Sequence, residues 1–490
     1  VLVAVGVALA AAPCALALIL AALNVAEARP HTPWEAAIVA DGWRAAHGLA
    51  VYEPDATGHA TAMYGPAEPV VLGALFRVLP VSKAVPQLLS LAGALALCTM
   101  ALATLWRRLS APFLILVALT LVAIDDRVGG SFSAANPDLA AWALGFGGVL
   151  IAFAWAPRRP AAAYLAASAC IVLGFLFKQP VAALAVIFPI VGAIEGRGGS
   201  LAWLASWLPA LAVTATSAAT WAFAPTVFQY MFVEPASYPI SSITVLKSSW
   251  RVLGSAACLW LAAGLYLTRA APPEPGLRRR RLWCGLALVV TLLVGTASFA
   301  KLGGADNSFV PAWFTIVTFS AVLLVPQFSA RWRDLLADPQ AALFFLVAAC
   351  AFAFSVFPDP NAVSSPFGIT SANIAVARGL SRVDRDRAAY SGVIAYVRVL
   401  NGRVLSPDDP TIMLYAKAAP GRSWVEERDA LDFPRQTPGF IQADLARADF
   451  IVSDTEWWEP RLIAAQGFTP IWSNGQYLVW RRRPALAGGH

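Results

Sequence analysis

Short polar stretches interrupt an otherwise apolar chain, and they hold the side chains best suited to chemistry. The most informative is the first, residues 24–85. It contains His31-Thr-Pro-Trp-Glu35, Asp41-Gly-Trp-Arg44, Gly48, Tyr52 and Tyr64-Gly-Pro66. Pro33 to His47 has helix-compatible spacing, with Thr32 as its cap. A carboxylate such as Glu35, close behind the first apolar run, serves as a general base toward a hydroxyl. An acid in a first helical turn is also favoured by the helix dipole alone, so both readings stand. His31, His47 and His59 share the loop without the tight spacing of a zinc site.

The later stretches add charge of both signs. Asp125-Asp126-Arg127 follows one apolar run and Asn136-Pro-Asp138 opens the next. The aspartate pair either repels in a desolvated cleft, binds a divalent cation, or forms a solvated turn. Asp138 has the placement of a first-turn helix acid. Lys178-Gln-Pro180 and Lys301-Leu-Gly-Gly-Ala-Asp-Asn-Ser308 break later runs. Lysines at that depth snorkel to a membrane surface, and they also hold a lipid-linked phosphate as a leaving group. No P-loop or dinucleotide fingerprint is present.

The elements that must position these groups follow from composition. Of 490 residues, 58% are hydrophobic and 13% charged. A soluble domain carries about 25% charged residues, so a soluble enzyme, a disordered chain and a disulfide scaffold are excluded. Apolar runs of spanning length lie at 2–23, 86–105, 110–124, 138–155, 161–177, 180–194, 201–222, 250–268, 282–300, 309–325 and 341–357. The run that begins at Val1 reads as an uncleaved first span. Arg107-Arg108, Arg158-Arg159, Arg197, Arg269 with Arg278 to Arg281, and Arg331 with Arg333 fall in alternate connections. By the positive-inside rule that side is cytoplasmic, with the N-terminus. The net charge of +7 therefore reflects topology, and no basic face with stacking aromatics suggests nucleic acid. The cysteines, Cys14, Cys98, Cys170, Cys258, Cys284 and Cys350, sit in or beside apolar runs and read as packing residues. The segment 66–80, bracketed by Pro66, Pro69, Pro80 and Pro86, reads as an interfacial helix.

Composition changes near residue 358. The expected division is a membrane domain over 1–357, a linker over 358–377 and an extracytoplasmic α/β domain over 378–485. Ala388–Leu400 reads as an amphipathic helix. Val404–Ser406, Thr411–Tyr415, Phe450–Ser453 and Tyr477–Trp480 read as strands, the first three needing cover on both faces. Asp408-Asp409 and Asp454 with Glu456 read as solvated turns at strand ends. Trp424, Trp457, Trp458 and Trp472 suit core packing, interfacial anchoring or stacking on sugar rings.

Together these motifs form a layout. A carboxylate loop after the first span is followed by Gly48-x-x-x-Tyr52 and Tyr64-Gly-Pro66 before an interfacial helix. Asn136-Pro-Asp138, the Lys178-Gln-Pro180 break, the Lys301-to-Asn307 loop and a terminal soluble domain follow. The chain resembles the GT-C superfamily of polyprenyl-phosphate-sugar-dependent glycosyltransferases, in the style of the protein mannosyltransferase and lipid A aminoarabinose transferase-like branch. The resemblance implies an α-helical polytopic membrane protein of about eleven transmembrane helices with a small C-terminal α/β domain. It also implies an inner (plasma) membrane location. The donor would be a sugar on a polyprenyl phosphate, and the acceptor a hydroxyl of an envelope glycan, lipid or protein. Glu35 matches the base of the first loop best and Asp41 competes with it, although Trp34 stands where the family pairs two acids. The acceptor oxygen would attack the anomeric carbon with inversion, while Lys178, Lys301 and Arg127 neutralise the departing phosphate. Tyr64, Asp126, Asp138 and Asn307 join them as candidate substrate-binding residues, Asn136-Pro-Asp138 standing where the family commonly has Arg-x-Asp. The rival reading is a non-catalytic transporter or lipid-binding scaffold with a partner-binding outer domain. Transport, however, calls for ionisable residues at mid-membrane, and the spans hold almost none.

Overall fold

The computed structural model describes residues 1–26, 29–30, 32–52, 64–195, 201–268, 275–301, 306–329, 332–357, 385–420, 444–455, 463–464 and 466–483. Its helices begin with α1 (Leu2–Ala26), α2 (Pro33–Ala46), α3 (Ala67–Phe76), α4 (Ala84–Leu105), α5 (Ala111–Arg127), α6 (Asp138–Trp155) and α7 (Pro160–Phe177). A 3-10 helix, Gln179–Val186, runs into α8 (Ile187–Ile194), followed by α9 (Leu201–Ser206) and α10 (Leu208–Phe223). Two single turns, α11 (Pro225–Phe228) and α12 (Glu234–Ser237), lead to α13 (Ser242–Ser255) and α14 (Ala257–Thr268). The remaining membrane-domain helices are α15 (Pro275–Phe299), α16 (Val310–Phe328), α17 (Trp332–Ala337) and α18 (Pro339–Val356).

Among the described residues, eight helical segments are long and apolar enough to cross a membrane, or nine if α13 and α14, bent by 68° at Ala256, form one broken span. The chain is a multi-pass membrane protein. The expected runs at 110–124 and 180–194 form shorter pieces, α5 of 17 residues and the 3-10 helix with α8. At α16 both sides of the helix are buried, including Trp313, Ile316, Val317 and Leu324, so it forms the centre of the bundle. It is the most buried of the candidate spans, so other helices and not lipid surround it. Phe113 stacks on Phe328 at its C-terminal end and meets Phe345 and Phe352 edge-on.

Two short helices lie between α1 and α4. Thr32 caps α2, its Oγ1 accepting from the Glu35 amide at 3.4 Å, with Pro33 at the first position. The prolines around α3 hold it to 10 residues, too short to span. α2 and α3 pack closely because small residues meet. A Cβ on Gly42 would lie 2.7 Å from that of Leu72, and one on Gly73 would lie 2.8 Å from that of Ala45.

The C-terminal unit has a helix at 385–397, here α19, a short helix α20 (Thr411–Tyr415) and four strands. These are β1 (Val404–Leu405), β2 (Phe450–Asp454), β3 (Phe468–Ser473) and β4 (Tyr477–Arg482) in the order β1-β2-β4-β3. The β1–β2 pair is parallel and the others antiparallel. β2 is buried along its whole length. Val393, Val397, Ile412 and Met413 cover one face of the sheet, and Leu445, Ile463 and Phe468 pack on the other.

Two expectations are corrected here. Thr411–Tyr415 is a helix, not a strand. The Asp409 carboxylate accepts from the Thr411 amide at 3.0 Å and from its hydroxyl, which starts a helical turn after Pro410. Asp408, Asp409 and Asp454 are buried, not solvated turns. Asp454 pairs with Arg29 of the first loop at 2.5 Å, and the Arg29 guanidinium also lies 4.0 Å from Asp386 and over the Tyr477 ring. This contact seats the C-terminal unit on the first loop, where Leu414 packs near Ile38, Val39 and Leu72. Trp472 stacks on Tyr396 at 4.8 Å. Glu456, Trp424, Trp457, Trp458, the linker 358–377, His31 and His59 lie outside the described residues.

Candidate functional site

The polar loops meet at one end of the bundle, and Asp138 is the hub. It opens α6, and its amide donates to the Asn136 Oδ1 at 3.2 Å. The Lys178 ammonium donates to one carboxylate oxygen, and the Asn307 amide donates to the other at 3.1 Å. Three stretches far apart in sequence therefore converge on one buried carboxylate. A buried charge is tolerated when it is paired and hydrogen-bonded in this way. Lys178 Nζ also lies 5.2 Å from the centre of the Tyr64 ring.

Tyr64 reaches that position through its neighbours. The Gly65 amide donates to the Phe177 carbonyl at 3.3 Å, so the loop runs against the end of α7. A Cβ on Gly65 would stand 1.9 Å from the Leu176 carbonyl oxygen, which admits only glycine. Tyr52 donates from its hydroxyl to the Tyr64 carbonyl at 2.6 Å.

On α2, Trp34, Ala37, Ile38 and Asp41 share one face by the i, i+3, i+4, i+7 rule. With Tyr64, Glu68 and Pro69 they line a small cleft between α2 and α3. The Trp34 and Tyr64 ring centres are 6.4 Å apart. Glu68 is buried, and its Oε1 has no hydrogen-bond partner among the described residues. Burial, with the nearby Asp138 charge against that of Lys178, pushes the Glu68 carboxyl up to about 8. Asp41 adds to the same rise. Glu68 is the site residue that the sequence reading misses. Its signal is a single acid in an apolar segment, two residues after Tyr64-Gly-Pro66.

The other candidates lie differently. Glu35 is buried one residue off the Asp41 face, and its Oε1 accepts from the Ala135 amide at 2.8 Å. It thus ties the first loop to the second. Asp125 accepts from the Phe132 amide at 2.6 Å and shapes its own turn, while Asp126 Oδ2 has no hydrogen-bond partner among the described residues. Arg127 donates to the Phe357 carbonyl at 3.0 Å and to Ser255, and lies over the Trp313 ring. Lys301 donates to the Pro235 carbonyl at 2.7 Å, and burial lowers its pKa. Among the described residues no three His, Cys, Asp or Glu side chains are grouped to hold a metal ion. A larger cavity than this cleft lies elsewhere, between α4, α6, α15 and α16, lined by Leu97, Phe146, Phe153, Trp283 and Phe314 with Arg280. It is at the other end of α6 from Asp138 and contains no carboxylate.

No family model matches the chain, and no curated protein matches it by sequence. Solved structures do. ArnT from Cupriavidus metallidurans in the apo state is similar with a TM-score of 0.58 at 12% identity, covering 96% of this chain and 98% of that one. The same protein bound to undecaprenyl phosphate gives a TM-score of 0.53 at 14% identity, over 97% of this chain and 98% of that one. The likeness spans the membrane helices and the C-terminal unit together. Over nearly its whole length the chain has the fold of ArnT, a bundle of apolar membrane-spanning helices followed by a small C-terminal unit with a sheet.

Proposed function

We propose that the chain is a membrane glycosyltransferase, moving a sugar from a polyprenyl-phosphate donor to an acceptor hydroxyl at the loop-bearing end of the bundle. The observation that carries this is the grouping of Asp41, Glu68, Tyr64, Lys178, Asp138 and Asn307 at one end of an ArnT-like fold. The neighbour's bound undecaprenyl phosphate supports a lipid-phosphate donor here.

Asp41 is the base. It lines the cleft, whereas Glu35 lies off that face and ties the first loop to the second through the Ala135 amide. Asp41 takes the proton of the acceptor hydroxyl as its oxygen attacks the anomeric carbon from the face opposite the phosphate. The bond from that carbon to the phosphate oxygen breaks, and the sugar leaves inverted. Lys178, held over Tyr64 by Asp138, neutralises the charge that builds on the phosphate. Arg127 and Lys301 serve to brace the loops around this site. The site faces the extracytoplasmic side of the plasma membrane, a reading that the arginine-bearing connections support. The C-terminal unit covers the first loop and selects the acceptor.

The test is reconstitution. The full chain in lipid vesicles is incubated with radiolabelled undecaprenyl-phosphate sugars and isolated envelope fractions. Label moving into a glycan, lipid or protein is expected. Folded protein that moves no label from any donor, yet carries a solute across the vesicle wall, overturns the proposal in favour of transport.

A further inference from the structure

We propose that Glu68 forms a subsite for one hydroxyl of the donor's sugar, and so fixes which sugar the cleft accepts. The inference rests on the glycosyltransferase reading and names a residue and a contact within it.

Three observations carry it. Glu68 is 2% exposed, and its Oε1 has no hydrogen-bond partner among the described residues. A buried polar atom left unmet costs free energy, and one that faces a cleft is a place where a ligand hydroxyl or a water supplies the missing bond. The cleft it lines, beside Asp41, has room for little more than one water-sized group. A hydroxyl fits there, and a charged phosphate does not. Trp34 and Tyr64 border the same cleft, their ring centres 6.4 Å apart, and give it an apolar wall beside Glu68.

The charges around Glu68 decide what it offers. Asp41 faces it from α2 and Asp138 from α6, against Lys178 alone after α7. Two anions and one cation in a buried place keep the Glu68 proton on at neutral pH. A neutral carboxyl both donates and accepts, as a sugar hydroxyl does, whereas an ionised one only accepts. Glu68 therefore holds a hydroxyl without adding a second base beside Asp41. α3 keeps the group in place, since Gly42 and Gly73 lock α3 against α2.

The test uses the full chain in vesicles with undecaprenyl-phosphate glucose, its monodeoxy analogues and envelope acceptor, comparing wild type, Glu68→Gln and Glu68→Leu. Thermal melting first establishes that each variant is folded. Glu68→Gln retains a donor and an acceptor and is expected to keep KM for the donor within about twofold. Glu68→Leu is expected to raise that KM about tenfold with kcat little changed. One deoxy analogue should be a poor donor for wild type and lose that handicap in Glu68→Leu. A purely structural role would not erase discrimination at a single hydroxyl. Transfer by wild type with the same KM and the same analogue ranking in Glu68→Leu overturns this inference alone. If Glu68→Leu does not fold, an unchanged ranking in Glu68→Ala has the same force. Wild-type protein that transfers from no undecaprenyl-phosphate sugar overturns the glycosyltransferase reading, and this inference with it.

Discussion

Lys178, at the break after α7, donates to the Asp138 carboxylate at the start of α6, and both side chains are largely buried. Removing the lysine alone leaves Asp138 with one amide partner, Asn307. Losing one member of a buried pair costs about 3–5 kcal/mol. Lys178→Met should therefore lower the melting temperature and stop transfer. Adding Asp138→Asn should restore much of the stability but none of the transfer. Full stability in the single variant would show that the pair is not needed to hold the two loops.

Arg29 plays the corresponding part between the first loop and the C-terminal unit. Its guanidinium pairs with Asp454 at 2.5 Å, and its carbonyl accepts from Lys83 at 2.7 Å. Arg29→Met should loosen that unit from the membrane domain. Limited proteolysis should then cut within 385–483 several times faster than in wild type. An unchanged cutting rate would mean that other contacts hold the unit in place.

Glu68 gives stability a pH dependence of known sign. Its usual value is 4.5, and folding raises it to about 8, so the folded chain binds a proton that the unfolded chain releases between those values. Its contribution is full below about pH 4.5 and is lost as pH rises through about 8. Melting temperatures measured across that range should fall more steeply for wild type than for Glu68→Gln. Parallel curves would contradict a protonated Glu68.

Gly65 has no space for a side chain against Leu176. Gly65→Ala should force Tyr64 and the start of α3 away from Lys178, destabilising the protein by about 1–3 kcal/mol. Transfer should fall further than stability, since Tyr64 borders the cleft. Equal transfer at equal protein would show that Tyr64 needs no fixed position.

Much of this arrangement is legible in the sequence, and the limits have physical causes. Long apolar runs are set by the bilayer itself, so α1, α4, α6, α7 and α16 are read with little error. Asp138, Lys178 and Asn307 stand out because charged and amide side chains are few in so apolar a chain, but their convergence is a tertiary fact that no spacing reveals. Glu68 is hidden among apolar neighbours, where a lone acid reads as part of a helix turn. Glu35 and Asp41 cannot be separated without knowing which of them the fold turns into the cleft. In the C-terminal unit, β3 escapes because Pro470 and a register shift break its alternation. Thr411–Tyr415 reads as a strand because a threonine followed by four largely apolar residues has no clear period, and the capping by Asp409 decides the outcome.

The most direct measurement is the rate of sugar transfer from an undecaprenyl-phosphate donor by Asp41→Asn and Glu35→Gln, each compared with wild type at equal melting temperature. Loss of a general base lowers the rate by about 10²–10⁴-fold. Asp41→Asn should show that loss. Glu35→Gln, which still accepts from the Ala135 amide through its side-chain oxygen, should keep most of the activity. Full transfer by Asp41→Asn, or the large loss falling on Glu35→Gln instead, would contradict the assignment of Asp41 as the base.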